Sequence, residues 1–230
     1  MIRWAFHRIA KPVHVELRRR LSSLVDRHLG IVTTDERVAA RLAIDQAVYL
    51  GTFRAGGWTG LWRMLRRIDP QNTDVLLDVG CGAGRVVCVA ARLRWRRVIG
   101  LDVSPQFARL AEQNAASLRG RRTEITIVEA DATRFYVPDD VTVVSLYNPF
   151  RGELMRETLK RILESADRAP RRLRILYGNP HEHELFLEMK RFRPTGRLRV
   201  GWRPSEDWAR SLMVQTYEVE PARQELSPRR

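Results

Sequence analysis

The chain has 230 residues, 44% of them hydrophobic, and a formal charge of +14, which suits one substantial domain with a buried core and excludes a disordered or fibrous chain. No run approaches the roughly 18 apolar residues of a membrane span, and Arg3, Arg8, Lys11 and Glu16 interrupt the start where a signal peptide would be apolar, so the protein reads as cytoplasmic. The two cysteines, Cys81 and Cys88, lack the paired spacing of a zinc site and read as reduced thiols, with no metal expected.

Residues 1–72 carry no run with strand periodicity and read as an N-terminal helical cap. Within it, Thr33 and Glu36 have capping-box spacing ahead of a helix bearing Val38, Leu42 and Tyr49. Gly51 to Gly60 reads as a glycine-rich loop, and Leu61, Trp62, Leu65 and Ile68 form a second amphipathic face. From residue 73 to 220 apolar runs alternate with amphipathic segments, the rhythm of an α/β core with a doubly wound, mostly parallel sheet. Seven strands are expected: Val75–Val79, Arg97–Leu101, Glu124–Val128, Val141–Tyr147, Arg172–Tyr177, then runs near Arg197–Trp202 and Leu212–Val219. The last two follow one another without a helix, which predicts an antiparallel final strand at the sheet edge. Residues 221–230 read as a disordered tail.

Three strand-to-helix junctions, Ser104-Pro105, Asn148-Pro149 and Asn179-Pro180, place a capping side chain before a proline suited to the first helical position. Helical spacing follows at Phe107, Leu110, Asn114 and Leu118, and again at Leu185, Met189 and Phe192. The carboxyl-terminal edge of such a sheet is where ligands bind.

The chemistry concentrates at Asp78-Val-Gly80-Cys81-Gly82-Ala-Gly84-Arg85, a glycine-rich turn between the first strand and the next helix. Glycines there let backbone approach a ligand, and a helix N-terminus offers free N–H groups. The second strand ends in Asp102, 22 residues beyond Gly80, where a carboxylate accepts ribose hydroxyls. After the third strand Asp131 is placed to accept from an adenine amino group. NAD is the competing cofactor, but its fingerprint wants a small residue where Arg85 stands. Asp78, two residues before the first glycine, suits a ligand carrying a primary amine.

This constellation resembles motif I and the following acidic positions of the class I S-adenosylmethionine-dependent methyltransferases, strongly over about residues 75–149 and weakly to Val219. The resemblance implies methyl transfer from S-adenosylmethionine to an acceptor the sequence does not identify, a small metabolite or a nitrogen or oxygen on a macromolecule. It implies that Gly80, Cys81 and Gly82 line the methionine part, with Asp78 and Gly84 completing the turn. Asp102 and Val103 would border the ribose, and Asp131 with Ala132 the adenine. Leu146-Tyr147-Asn148-Pro149-Phe150 resembles, with one proline missing, the Asn-Pro-Pro-Tyr/Phe signature of enzymes that methylate amino groups. Asn148 therefore reads either as a cofactor- and acceptor-facing residue or as a helix cap. Tyr147 reads as orienting an acceptor or packing, and His181 and His183 as proton acceptors or exposed first-turn residues. From the cap, Tyr49, Thr52, Trp58 and Trp62 are candidates to close over the donor, or an aromatic cluster joining cap to core, and Arg151, Arg54 and Lys11 could meet an acidic substrate.

A small-molecule substrate is the leading partner. Nucleic acid or an anionic surface is the second reading, for a protein that keeps the cofactor fold and binds through its basic cap, since residues 1–72 hold half the net charge. Against it, 38 of the 41 basic residues are arginines, a bias that codon usage produces without any phosphate ligand.

Overall fold

The computed structural model describes residues 11–42, 57–147, 149–199 and 213–220. Helices α1 (Lys11–Leu29), α2 (Asp35–Leu42) and α3 (Trp58–Arg67) precede the sheet. Then follow β1 (Val75–Val79), α4 (Arg85–Ala90), β2 (Arg97–Asp102), α5 (Pro105–Ser117), β3 (Ile125–Glu129) and β4 (Val143–Tyr147). After these come α6 (Glu153–Arg168), β5 (Leu173–Gly178), α7 (His183–Glu188), β6 (Phe192–Arg199) and β7 (Met213–Val219).

The seven strands form one sheet in the order β3-β2-β1-β4-β5-β7-β6. Six run the same way, and β7 lies antiparallel between β5 and β6. β1 is buried at every position because helices cover both faces, so its sequence is a nearly unbroken apolar run. Successive side chains alternate between two cores. Leu76, Val98, Val143 and Leu176 face α3 and α4, while Val75, Leu77, Ile99, Val144 and Ile175 face α6 and α7. On α6, Met155, Leu159, Ile162, Leu163 and Ala166 recur at helical spacing and are buried.

Several expectations are corrected. Ser104-Pro105 does start α5, with the Ser104 hydroxyl accepting from Phe107 N at 3.4 Å. The other two Asn-Pro pairs do not start helices. α6 begins at Glu153 behind Gly152, because Pro149 packs against the glycine turn instead. α7 begins at His183 because Asn179 takes a left-handed φ of 53° and its N–H extends the pairing with Met213 O. Phe192 is not helical: Lys190 at φ 54° turns the chain, and Phe192 opens β6 with its ring edge-on to Phe186. Strand β6 accordingly starts five residues before the Arg197 expected from sequence and is described to Arg199. Residues Trp58–Gly60, read as loop, open α3. Thr33 does not cap α2, which starts at Asp35; its hydroxyl and N–H both turn back to Asp26. Tyr49, Thr52, Arg54 and Asn148 lie outside the described residues.

Candidate active site

The order of strands reverses direction of growth between β1 and β4, and their carboxyl ends open a crevice there. The glycine turn leaves β1 into it. Gly80 has φ +70° and a methyl group there would sit 2.6 Å from Pro149 Cβ, so only glycine lets the chain leaving β4 close against the turn. Gly82 has φ +54° and open space where a side chain would be, which leaves its backbone approachable. Gly84 caps α4 in a left-handed conformation, close to Ala111 of α5.

The N–H groups of Gly80 and Cys81 donate to Leu101 O at 2.8 and 2.9 Å, Gly82 N to Asp102 Oδ2 at 2.8 Å, and Gly84 N to Cys81 O at 2.9 Å. These four N–H groups of the turn are therefore engaged within the protein. What the turn offers a ligand is close backbone approach rather than a nest of N–H groups for phosphate.

Two carboxylates lie beneath the turn. Asp78 is 2% exposed, and burial pushes its carboxyl up to about 7, the nearby Ser145 hydroxyl opposing the shift and the Asp102 charge adding to it. Ser145 stands opposite Asp78 in the β1–β4 register, and its buried hydroxyl makes no well-formed hydrogen bond. Asp102 is also pushed up by burial, although the Ser104 and Gly82 N–H groups pull against it. Those two N–H groups donate to opposite oxygens, Ser104 N to Oδ1 at 2.9 Å and Gly82 N to Oδ2 at 2.8 Å, so the carboxylate plane is fixed. Burial raises the Cys81 thiol well above its usual range, with both acids adding to the effect, so it stays a neutral spacer.

The remaining candidates are spread around this centre. Val103 follows Asp102 with its apolar side chain 68% exposed. Asp131 is exposed, and its Oδ1 accepts from both the N–H and hydroxyl of Thr133 at 2.8 Å, with Ala132 half-buried beside it. The ring of half-buried Tyr147 lies against Gly178, where any Cβ would meet it at 2.3 Å. His181 is on an exposed turn, its N–H donating to Asn179 O at 2.9 Å. His183 instead bonds the buried Tyr217 hydroxyl through Nδ1 at 2.5 Å. Thus Asp78, Gly80, Cys81, Gly82, Gly84 and Asp102 converge, whereas Asp131 and His181 stand at the rim.

Supporting residues went unread in the sequence. Buried Asp26 accepts from Thr33, Thr34 and the Trp58 indole, the last at 2.8 Å, which makes Trp58 a cap anchor. Arg85 is buried and donates to Thr33 Oγ1 and O at 2.9 and 2.5 Å, so it reaches away from the sheet to hold the preceding segment. Asn114 accepts from Val32 N and donates to Val32 O and Ala83 O, fastening that segment to the glycine turn. A buried asparagine on an otherwise apolar helix face was the only signal for any of these.

Residues 76–171 match the family described as "Methyltransferase domain". Over that stretch the core is similar to a methyltransferase domain. Its solved neighbours agree in fold: the chain superposes with TM-score 0.54 on a TehB-like SAM-dependent methyltransferase from Corynebacterium glutamicum, at 16% identity, covering 81% of this chain and 98% of that one. It superposes with TM-score 0.52 on the N-methyltransferase NodS from Bradyrhizobium japonicum in complex with S-adenosyl-L-homocysteine, at 12% identity, covering 70% and 85%. A ribosomal protein L11 methyltransferase from Dechloromonas aromatica is 32% identical over 120 residues, 51% of this chain and 38% of that protein. The matched stretches span about a quarter to two-fifths of the length of the curated relatives. Among the described residues no helix is long and apolar enough to cross a membrane, and no cluster of metal-ligating side chains occurs.

Proposed function

We propose that the methyltransferase domain transfers a methyl group from S-adenosylmethionine to a nucleophilic acceptor at the ends of β4 and β5. The observation that carries this reading is the pair of buried acids under an open glycine turn. A cation beside Asp78 relieves the cost of ionising it, so the site suits the ammonium of the methionine part. Asp102 keeps a lone pair on each oxygen after its two N–H bonds, enough for two ribose hydroxyls. Gly80, Cys81, Gly82 and Gly84 give the methionine part a wall of backbone. The exposed face of Val103, with Ala132 and Asp131, suits a purine and its amino group. The engaged N–H groups of the turn speak against the pyrophosphate of NAD.

When bound, the sulfonium supplies an activated methyl group; the protein's task is to align donor and acceptor in line and exclude water. Pro149 and Phe150 form a half-buried wall beside Gly80. Tyr147, held against Gly178, orients the acceptor, Asn148 receives a hydrogen bond from an acceptor N–H, and His181 takes the released proton. Tyr49 closes over the donor from the cap, which we take as residues 1–72, with a core over 73–220 and a tail beyond. The half-buried apolar wall favours a small-molecule acceptor, and the free buried thiols Cys81 and Cys88 favour a cytoplasmic setting.

Calorimetric titration with S-adenosylmethionine, S-adenosylhomocysteine and NAD tests the reading. Micromolar binding of the first two and none of NAD is expected; binding of NAD alone, or of none, overturns it.

A further inference from the structure

Away from the crevice, α3 and edge strand β6 enclose an open groove of about 520 Å³ lined by Trp62, Met64, Leu198 and the arginines Arg63, Arg66, Arg67 and Arg199. Several arginines elsewhere are neutralised: Arg97 pairs with Asp140 at 2.6 Å, Arg168 with Asp139 at 2.9 Å, Arg174 with Asp74 at 3.0 Å and Arg191 with Asp167 at 2.5 Å. The four groove arginines make no side-chain hydrogen bond or ion pair among the described residues. Arg63, Arg66 and Arg67 lie at i, i+3 and i+4 on one helical face, where like charges repel. Among the described residues no acid compensates this cluster, and an anion bound in the groove would relieve it.

We infer that this groove is a docking site for single-stranded nucleic acid, with the four guanidinium groups on successive phosphates and Trp62 as a stacking platform. Three features select this occupant. The charge is concentrated in a concavity, whereas a lipid surface needs a flat or convex face. Guanidinium forks match phosphate geometry. The floor presents half-buried Trp62 and Leu198 over buried Met64, apolar surface suited to base faces, the pairing of basic groove and aromatic ring that binds single strands without sequence preference. β6 runs parallel to β1, so Arg199 at its carboxyl end lies on the same sheet edge as the methyl-transfer crevice. The groove does not depend on the methyl-transfer reading.

Fluorescence anisotropy of labelled 12-nucleotide oligo(U) and oligo(dT) against the full chain is the test. Both are expected to bind with similar affinity, because phosphate and stacking contacts ignore the sugar. Four phosphate contacts on a single strand predict a slope of about −3 in log K against log salt concentration. Arg63→Glu with Arg66→Glu is expected to weaken binding at least tenfold, and Trp62→Leu, which retains apolar packing, about fivefold. Arg94→Glu, exposed on another face, is expected to leave affinity within twofold. Retained S-adenosylhomocysteine binding and an unchanged melting temperature separate lost docking from lost folding, and Arg63→Gln with Arg67→Gln repeats the measurement without reversed charge. The inference is overturned if neither oligonucleotide binds at low salt or if the arginine variants bind like the native chain. Sedimentation with phosphatidylglycerol vesicles in the absence of oligonucleotide binding overturns it as well.

Discussion

Asp74 and Asp78 flank and occupy the same central strand and live in opposite surroundings. Asp74, at the amino-terminal edge, accepts from Gln71 N at 2.9 Å, Thr142 Oγ1 at 2.7 Å and Arg174 at 3.0 Å. Burial raises its carboxyl, but these donors outweigh it and hold the group below its ordinary value. Asp78 is buried with no cation beside it among the described residues and is pushed up to about 7. One end of β1 is therefore electrostatically satisfied, and the other stores a cost that a cationic ligand removes. Stability and binding are assigned to opposite edges of one sheet.

The sharpest break in that comparison is expected from Asp102→Ala at the binding edge. It removes the ribose acceptor and releases the N–H groups of Gly82 in the turn and Ser104 at the start of α5, so the dissociation constant for S-adenosylhomocysteine is expected to rise about a hundredfold, or roughly 3 kcal/mol. Native affinity in titration would sink the ribose assignment. At the opposite edge Arg174→Met strands a largely buried Asp74 carboxylate and should cost about 2–3 kcal/mol in urea unfolding while sparing cofactor affinity.

Asp78→Asn is expected to act in both directions. The native site binds a cation best with Asp78 ionised, so affinity should fall about tenfold from pH 8 to pH 6, and the variant should lose that dependence and bind about tenfold more weakly at pH 8. The stability sign is opposite. Between about pH 4 and 7 the folded protein holds a proton on Asp78 that the unfolded chain has released, so stability without ligand declines as pH rises through that window. The variant lacks this decline and should melt higher at pH 8. Asp74 has the reverse sign: its contribution is present above the unfolded value of about 4 and lost as pH falls through its lowered folded value. A melting temperature that rises steadily from pH 4 to pH 8 would refute the contrast. The smallest effect is expected for Asn148→Ala, a loss of turnover of several-fold with cofactor affinity intact; unchanged turnover would assign Asn148 to the backbone turn.

Much of this architecture was legible because local patterns and global fold agree. Val75–Val79 reads as a buried strand from its composition, and the Asp102 carboxylate is legible because a strand must end there for the next helix to start at Ser104-Pro105. The Asn148-Pro149 and Asn179-Pro180 pairs misled for one reason. Each has the local chemistry of a helix start, but long-range partners, Gly80 for Pro149 and Met213 for Asn179, were stronger. Phe192 misled because apolar residues at helical spacing also occur where a helix stops and a strand begins.

The sequence by itself determined the alternation of strands and helices, the glycine turn, and which acids stand at the strand ends, since each depends on residues near in the chain. Only the tertiary structure decided that Asp78 has no cation beside it among the described residues, that Arg85 and Asn114 clamp the preceding segment, and that the N–H groups of Gly80, Cys81, Gly82 and Gly84 are engaged. It alone gathered into one groove four arginines that pair with no acid among the described residues. Burial and pairing depend on which distant segments meet, and a carboxylate or guanidinium shows the same letter whether its neighbour is water, apolar packing or an opposite charge.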